Sequence, residues 1–284
     1  MDSRQVYRGM DIGTDKVSLQ DRARVPHHGL DLVDPDQRYS AGRFAREAAG
    51  WIADIRSRGR TPILVGGTGF FLRALVRPLF DEPELDSDRR EALQTLLTGW
   101  DEEKLGRAVR VLDPERAALA VEGGRQRLSR AIEVALLSGR SLSSWHQDQR
   151  GASGGVDAAK APDIAVCLIE LSRDELDRRI EERVERMRDG GLVTEVTRLL
   201  AAGFDADSPG MTGTGYREIA SHLRGEMTLE DALSAMKTQT RQYARRQLTW
   251  FRHQLSESVT VIDGALSFAD QVDAVSEVCF REAA

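Results

Sequence analysis

The chain has 284 residues, 40% of them hydrophobic and 30% charged, enough to bury the core of one large domain or of a domain carrying an insertion. No apolar run reaches the roughly 18 residues of a membrane helix, and the first residues lack the order of a signal peptide, so a cytoplasmic protein without a membrane partner is expected. Two cysteines, Cys167 and Cys279, are too few for a metal knuckle and fit buried thiols better than a disulfide framework, while a net charge of -6 excludes indiscriminate polyanion binding.

The opening, Met1 to Thr14, is polar and loop-like. His27 and His28 follow, but adjacent side chains point apart and no carboxylate motif completes a metal site, so packing or substrate contact is the expected role. A short extended piece over 30–34 closes at Pro35. Tyr39 and Ser40 open an amphipathic helix with Phe44, Ala48, Trp51, Ile52 and Ile55 at helical spacing and Gly59 as its stop. Pro62-Ile63-Leu64-Val65 then runs into Gly66-Gly67-Thr68-Gly69, which reads as a buried strand ending in a loop that admits close backbone approach. The glycines remove bulk and Thr68 offers a hydroxyl, so the loop suits a phosphate or a flat polar group; the plainer reading is a strand-to-helix connection.

Beyond Pro78 and Pro83 the pattern becomes helical over 87–97, 102–112, 114–121 and 125–137, an apparent insertion. Residues 151–161 form a Gly/Ala-rich connector. A strand over 164–171 leads to Ser172 and Glu175, a capping box for a helix with Arg179, Arg183, Arg186 and Arg188 among glutamates, mostly a solvated face. Gly190-Gly191 ends that helix, and Gly203 ends the next. A glycine-rich loop covers 209–216, and Thr228 caps a long helix. From Ala232 to Ser256 there is no acidic residue, and Lys237, Arg241 and Arg245 recur every four residues on one face, as expected of phosphate contacts. Leu248, Trp250 and Phe251 read as core. A strand over 259–262 and a helix over 268–280 complete the chain.

Taken together, the motifs resemble the tRNA dimethylallyltransferases. The resemblance rests on Asp2-Ser3-Arg4-Gln5-Val6-Tyr7 with Gly9-Met10-Asp11-Ile12-Gly13-Thr14, then His27-His28, Asp34-Pro35, Gly66-Gly67-Thr68-Gly69 and Arg127-Leu128-Ser129-Arg130-Ala131. Arg179-Ile180 with Arg183, Gly215-Tyr216-Arg217 and Thr240 to Gln247 extend it over nearly the whole chain. It implies an α/β, P-loop NTPase-like parallel-sheet core (1–82 and 151–284) with a helical insertion contacting tRNA (83–150). It also implies transfer of a dimethylallyl group from dimethylallyl diphosphate to N6 of the adenosine 3′ of the anticodon, with Mg²⁺, by a monomer.

Carried across residue by residue, the resemblance makes Asp2 the general base, Thr68 a positioning group and Arg183 the contact for the diphosphate. It assigns tRNA contact to Asp2, Ser3, Arg4, Gln5, Thr68, Arg90, Gln126, Arg127, Leu128, Ser129, Arg130, Thr212, Gly213, Thr214, Gly215, Tyr216 and Arg217, beside the stripe of Lys237, Arg241 and Arg245. It further implies a strand and P-loop before Asp2. No G-x-x-x-x-G-K-[ST] occurs in the sequence, so the first strands, the P-loop and the Mg²⁺ ligand it carries are expected to be missing, and activity to depend on them. The alternative is a non-catalytic RNA-binding remnant. Val121-Glu122-Gly123-Gly124 and Phe71 also depart from the family pattern.

Overall fold

Capping residues set most helix starts. Ser40, Asp86, Asp101 and Ser172 each accept a backbone N–H three residues on, and each opens a helix where the sequence places one. The computed structural model describes residues 1–76, 85–152, 164–254 and 259–279. The chain divides into two units, Met1–Arg77 with Asp163–Ala284, and Pro78–Pro162.

The larger unit contains α1 (Leu19–Arg24), α2 (Ala41–Ser57) and α3 (Gly69–Val76), then, after the second unit, β1 (Val166–Glu170), β2 (Val259–Asp263) and five further helices. The intervening α4 (Ser87–Thr98), α5 (Glu102–Leu112), α6 (Ala117–Glu122), α7 (Gly124–Ser138) and α8 (Leu142–Ala152) make up the smaller unit. The last five helices are α9 (Arg173–Asp189), α10 (Leu192–Ala201), α11 (Tyr216–Leu223), α12 (Leu229–Gln254) and α13 (Phe268–Cys279). The fold is α/β with a helical majority. Its sheet, among the described residues, is β1 paired in parallel with β2, Val166 opposite Val259 and Glu170 opposite Asp263. One parallel bridge joins Tyr7 to Val33.

Helical spacing explains the larger core. Ile180, Val184 and Met187 of α9, and Leu192, Val196 and Leu199 of α10, fall on single faces. All but Ile180 of these join Val6, Tyr7, Met10, Val33, Met211, Tyr216, Ile219 and Met236 in one cluster. Each fully buried aliphatic side chain contributes about 1.5–3 kcal/mol, so this cluster holds the otherwise irregular first residues in place. In the smaller unit Leu97, Leu105, Val109, Ala120, Leu128, Ala131 and Ile132 form a separate core.

Several expectations change, among them the buried thiols: Cys167 is half-buried and Cys279 exposed. Residues 62–65 form no strand: they are extended without a ladder, and Ile63 and Val65 are 72% and 75% exposed. A strand needs a neighbour for its N–H and C=O groups, and among the described residues only the Met1 amine reaches this segment, at the Val65 carbonyl. The capping box at Ser172 is half formed, because the Glu175 carboxylate turns to Arg178 and Arg179. The 114–121 helix breaks into a 3₁₀ turn, Pro114–Arg116, and α6. The pattern does not announce α8, which takes up Gly151 and Ala152; the rest of the connector, and Phe280, lie outside the described residues.

Candidate active site

The first residues lie beside the glycine loop. The Thr68 N–H donates to the Met1 carbonyl at 3.4 Å, and the Ser3 N–H donates to the Thr68 hydroxyl oxygen at 3.2 Å. Asp2 and Thr68, far apart in sequence, are thus neighbours. Asp2 Oδ1 accepts the N–H groups of Arg4 at 2.7 Å and Gln5 at 3.2 Å, an Asx-type turn that fixes the carboxylate. Oδ2 makes no hydrogen bond among the described residues.

The glycines here admit protein atoms. A Cβ on Gly66 (φ +145°) would lie 2.2 Å from the Met1 carbonyl oxygen, one on Gly67 2.1 Å from Gln247 Nε2, and one on Gly69 2.2 Å from the Trp250 ring. The sequence left this loop as a site for a phosphate or a flat polar group or as a strand-to-helix connection, and the close backbone approach it allows is made here by the protein's own atoms. The space belongs to the N-terminal segment and α12, and Gln247 donates to the Gly67 carbonyl at 2.8 Å.

A second loop, Asp11 to Lys16, carries Arg183. Glu195, buried on the apolar face of α10, accepts the N–H of Asp11 and Ile12 on Oε2 at 2.9 and 2.8 Å, and that of Gly13 on Oε1 at 3.1 Å. The Tyr216 hydroxyl donates to the same carboxylate at 2.6 Å, and burial followed by this anion pushes the phenol far above its ordinary pKa, so it stays a donor. Lys16 Nζ, almost wholly buried, lies 2.7 Å from both Asp11 and Asp31. Burial raises the Asp31 pKa, but Lys16 and Arg22 overcome it and hold the carboxyl below its ordinary value. Thr14 presents its carbonyl to two partners, Gln5 Nε2 at 3.2 Å and Arg183 Nη2 at 3.3 Å. The N-terminal motif and Arg183 therefore converge on one backbone oxygen.

Arg4 ties that motif to the glycine-rich loop over 209–216 through the Pro209 carbonyl at 2.7 Å. Within this segment Thr212 and Arg217 are exposed and Thr214 half-buried, whereas Gly213, Gly215 and Tyr216 are buried. Tyr216 is 1% exposed with its hydroxyl taken by Glu195, so its expected RNA contact is corrected to a core role. The basic stripe is likewise divided. Lys237 pairs with Glu185, and Arg241 with Asp177 and Glu181, all on α9, so these cations are matched by carboxylates. Arg245 is exposed and makes no ion pair among the described residues.

In the smaller unit, Glu133 is 4% exposed and accepts Arg90 Nε at 3.1 Å, Arg130 Nη1 at 3.2 Å and Gln94 Nε2 at 2.5 Å. Two expected RNA contacts thus share one buried carboxylate. Gln126 and Arg127 are exposed and Ser129 half-buried; Leu128 is in the core, which corrects its expected RNA contact. Neither Glu133 nor Glu195 emerges from the motifs, although each is a lone acid in an apolar helical run, a usable signal. His28 stacks on Trp51 with centroids 5.6 Å apart, and His27 is exposed. Among the described residues no three His, Cys, Asp or Glu side chains converge to hold a metal, and no helix is long and apolar enough to cross a membrane.

Residues 5–254 match the family model for IPP transferase. Over 250 residues the chain is 45% identical to tRNA dimethylallyltransferase 2 of Geotalea uraniireducens, an alignment covering 88% of this chain and 79% of that protein. The crystal structure of the tRNA isopentenylpyrophosphate transferase of Bacillus halodurans is similar with a TM-score of 0.65 at 33% identity, covering 96% of this chain and 84% of that one. A eukaryotic dimethylallyltransferase solved acting on tRNA shares the fold, with a TM-score of 0.76 at 24% identity, over 99% of this chain and 73% of that one.

Proposed function

Since the chain belongs to the IPP transferase family, we propose that it transfers a dimethylallyl group from dimethylallyl diphosphate to N6 of the adenosine 3′ of a tRNA anticodon, releasing diphosphate. The observation that carries the site assignment is the convergence of Gln5 and Arg183 on the Thr14 carbonyl, with Asp2 beside Thr68 on the same N-terminal turn. The exocyclic amine attacks the allylic carbon, the carbon–oxygen bond to diphosphate breaks, and Asp2 receives the amine proton. Arg183 meets the charge growing on the leaving oxygen with a fixed guanidinium. The Thr68 hydroxyl helps place the adenine. The base leaves the anticodon-loop stack to reach the donor.

Mg²⁺ prefers hard oxygen donors, and the phosphate oxygens of the dimethylallyl donor are such a set. With no three-residue carboxylate or histidine cluster among the described residues, it would be held largely by phosphate oxygens and water, and would neutralise the leaving group. The core is read as P-loop-type. In the larger unit Ser3, Arg4, Thr212, Thr214, Arg217 and Arg245 are read as RNA contacts; in the smaller unit, taken by itself, Arg90, Gln126, Arg127, Ser129 and Arg130 are; the partner is read as the anticodon stem-loop and the protein as a monomer.

The test is mass spectrometry of unmodified tRNA after incubation with this chain, dimethylallyl diphosphate and Mg²⁺, beside an Asp2→Ala variant. Prenylated adenosine from the parent and none from the variant is the expected result. Equal product from both removes Asp2 from the chemistry, and tRNA binding without product from the parent leaves a non-catalytic RNA-binding protein.

A further inference from the structure

Arg183 already faces an anion of its own chain. Asp15 Oδ2 lies 3.1 Å from Arg183 Nε, with the two side chains 58% and 41% exposed. The pair is close but misaligned, because Nε is shut off from solvent and still makes no hydrogen bond. Asp15 is not there by chance rotation of a free loop. Its backbone is left-handed, φ +54°, its N–H donates to the Ile12 carbonyl at 3.1 Å, and its carbonyl accepts Gln5 Nε2 at 3.4 Å. The residues on either side are pinned in turn by Glu195, by the Thr14 hydroxyl on the Met10 carbonyl, and by buried Lys16. The backbone so fixed sets the Asp15 carboxylate beside an arginine donor that stays unsatisfied.

We propose that Asp15 is a placeholder counter-ion, occupying the Arg183 guanidinium until the diphosphate arrives and setting how tightly diphosphate is held. The proposal rests on Arg183 being the diphosphate contact. A phosphate oxygen that enters replaces a misaligned carboxylate with an aligned, charge-assisted hydrogen bond, and the displaced carboxylate returns to water, where more than half of it already lies. The placeholder lowers affinity for substrate and product alike. For an enzyme that must let diphosphate go after each transfer, that is a means of release. The consequence is a gain: removing the carboxylate strengthens diphosphate binding, which loss of a merely structural contact does not do.

The experiment is isothermal titration of inorganic pyrophosphate with Mg²⁺ into the full chain and into Asp15→Asn, Arg183→Gln and the double variant. Asn keeps the left-handed backbone and removes only the charge. Asp15→Asn is expected to lower the Kd by roughly two- to fivefold, the scale of a partly exposed ion pair. Arg183→Gln raises it, and in that background Asp15→Asn has no further effect. Should Arg183→Gln weaken binding while Asp15→Asn leaves it unchanged or weaker, the placeholder is wrong and the diphosphate role of Arg183 stands. Equal tightening by Asp15→Asn in both backgrounds also overturns it, pointing to the general field of the loop. No pyrophosphate binding by the parent, or an Arg183→Gln chain that binds as the parent does, removes the underlying role and the proposal with it.

Discussion

Glu195 and Glu133 are equally hidden, 5% and 4% exposed, and each binds at least three donors, yet they do different work. Glu195 gathers neutral donors, three backbone N–H groups and a phenol, and so fixes the course of the Asp11 to Gly13 loop. Glu133 gathers two guanidiniums and an amide from side chains of α4 and α7, and so fixes the direction of charges. In the larger unit the buried carboxylate organises backbone on which the site stands. In the smaller it organises a cationic surface.

The sharpest way to break the comparison is to remove each acid. Glu195→Ala strands a phenol and three N–H groups inside the core and is expected to cost about 3–5 kcal/mol in urea denaturation. Glu133→Ala is expected to cost less, about 1–3 kcal/mol, because Arg90 and Arg130 are 29% and 22% exposed and can turn to water. It should also weaken tRNA binding and flatten its salt dependence, read by filter binding over a salt series. Equal stability losses from the two changes would show that the identity of the donors does not matter.

Asp31 tests the electrostatic half of the loop. Its folded pKa is depressed, so the stability it contributes is full above its unfolded value, 3.8, and is lost as pH falls through the lower folded value. Asp31→Asn is expected to cost about 1 kcal/mol at pH 7, a figure held down by the one-third exposure of the carboxylate, with the gap to the parent closing below about pH 3.8. A gap that is constant from pH 7 to pH 3 would assign the effect to shape. The smallest effect is expected from Arg241→Ala: its partners Asp177 and Glu181 are 35% and 56% exposed, and thermal unfolding should move by the equivalent of no more than about 0.5–1 kcal/mol.

Much of this was readable before any coordinates. Ser40, Ser172 and the periodicity of α5, α9 and α10 place helices, because capping and a 3.6-residue repeat are local. The Asp2 to Gln5 motif, Thr68 and Arg183 were nameable only through resemblance, and nothing local tells that Gln5 and Arg183 share the Thr14 carbonyl. Where sequence reasoning stopped, it lacked the partner. The glycines at 66–69 mark a close backbone approach, and only the structure shows that Met1, Gln247 and Trp250 make it. Lys237 and Arg241 stand in a stretch of sequence without acids, and the carboxylates they meet come from α9 across space.

The sequence by itself determined the longer helices, the caps at Ser40 and Ser172 and the family resemblance, since these depend on residue type and short-range spacing. Only the tertiary structure decided which charges are spent internally and which face outward. A carboxylate or a guanidinium acts through whatever lies within a few ångströms, and for Glu195, Lys237 and the Arg183 and Asp15 pair those neighbours come from elements far apart in the chain.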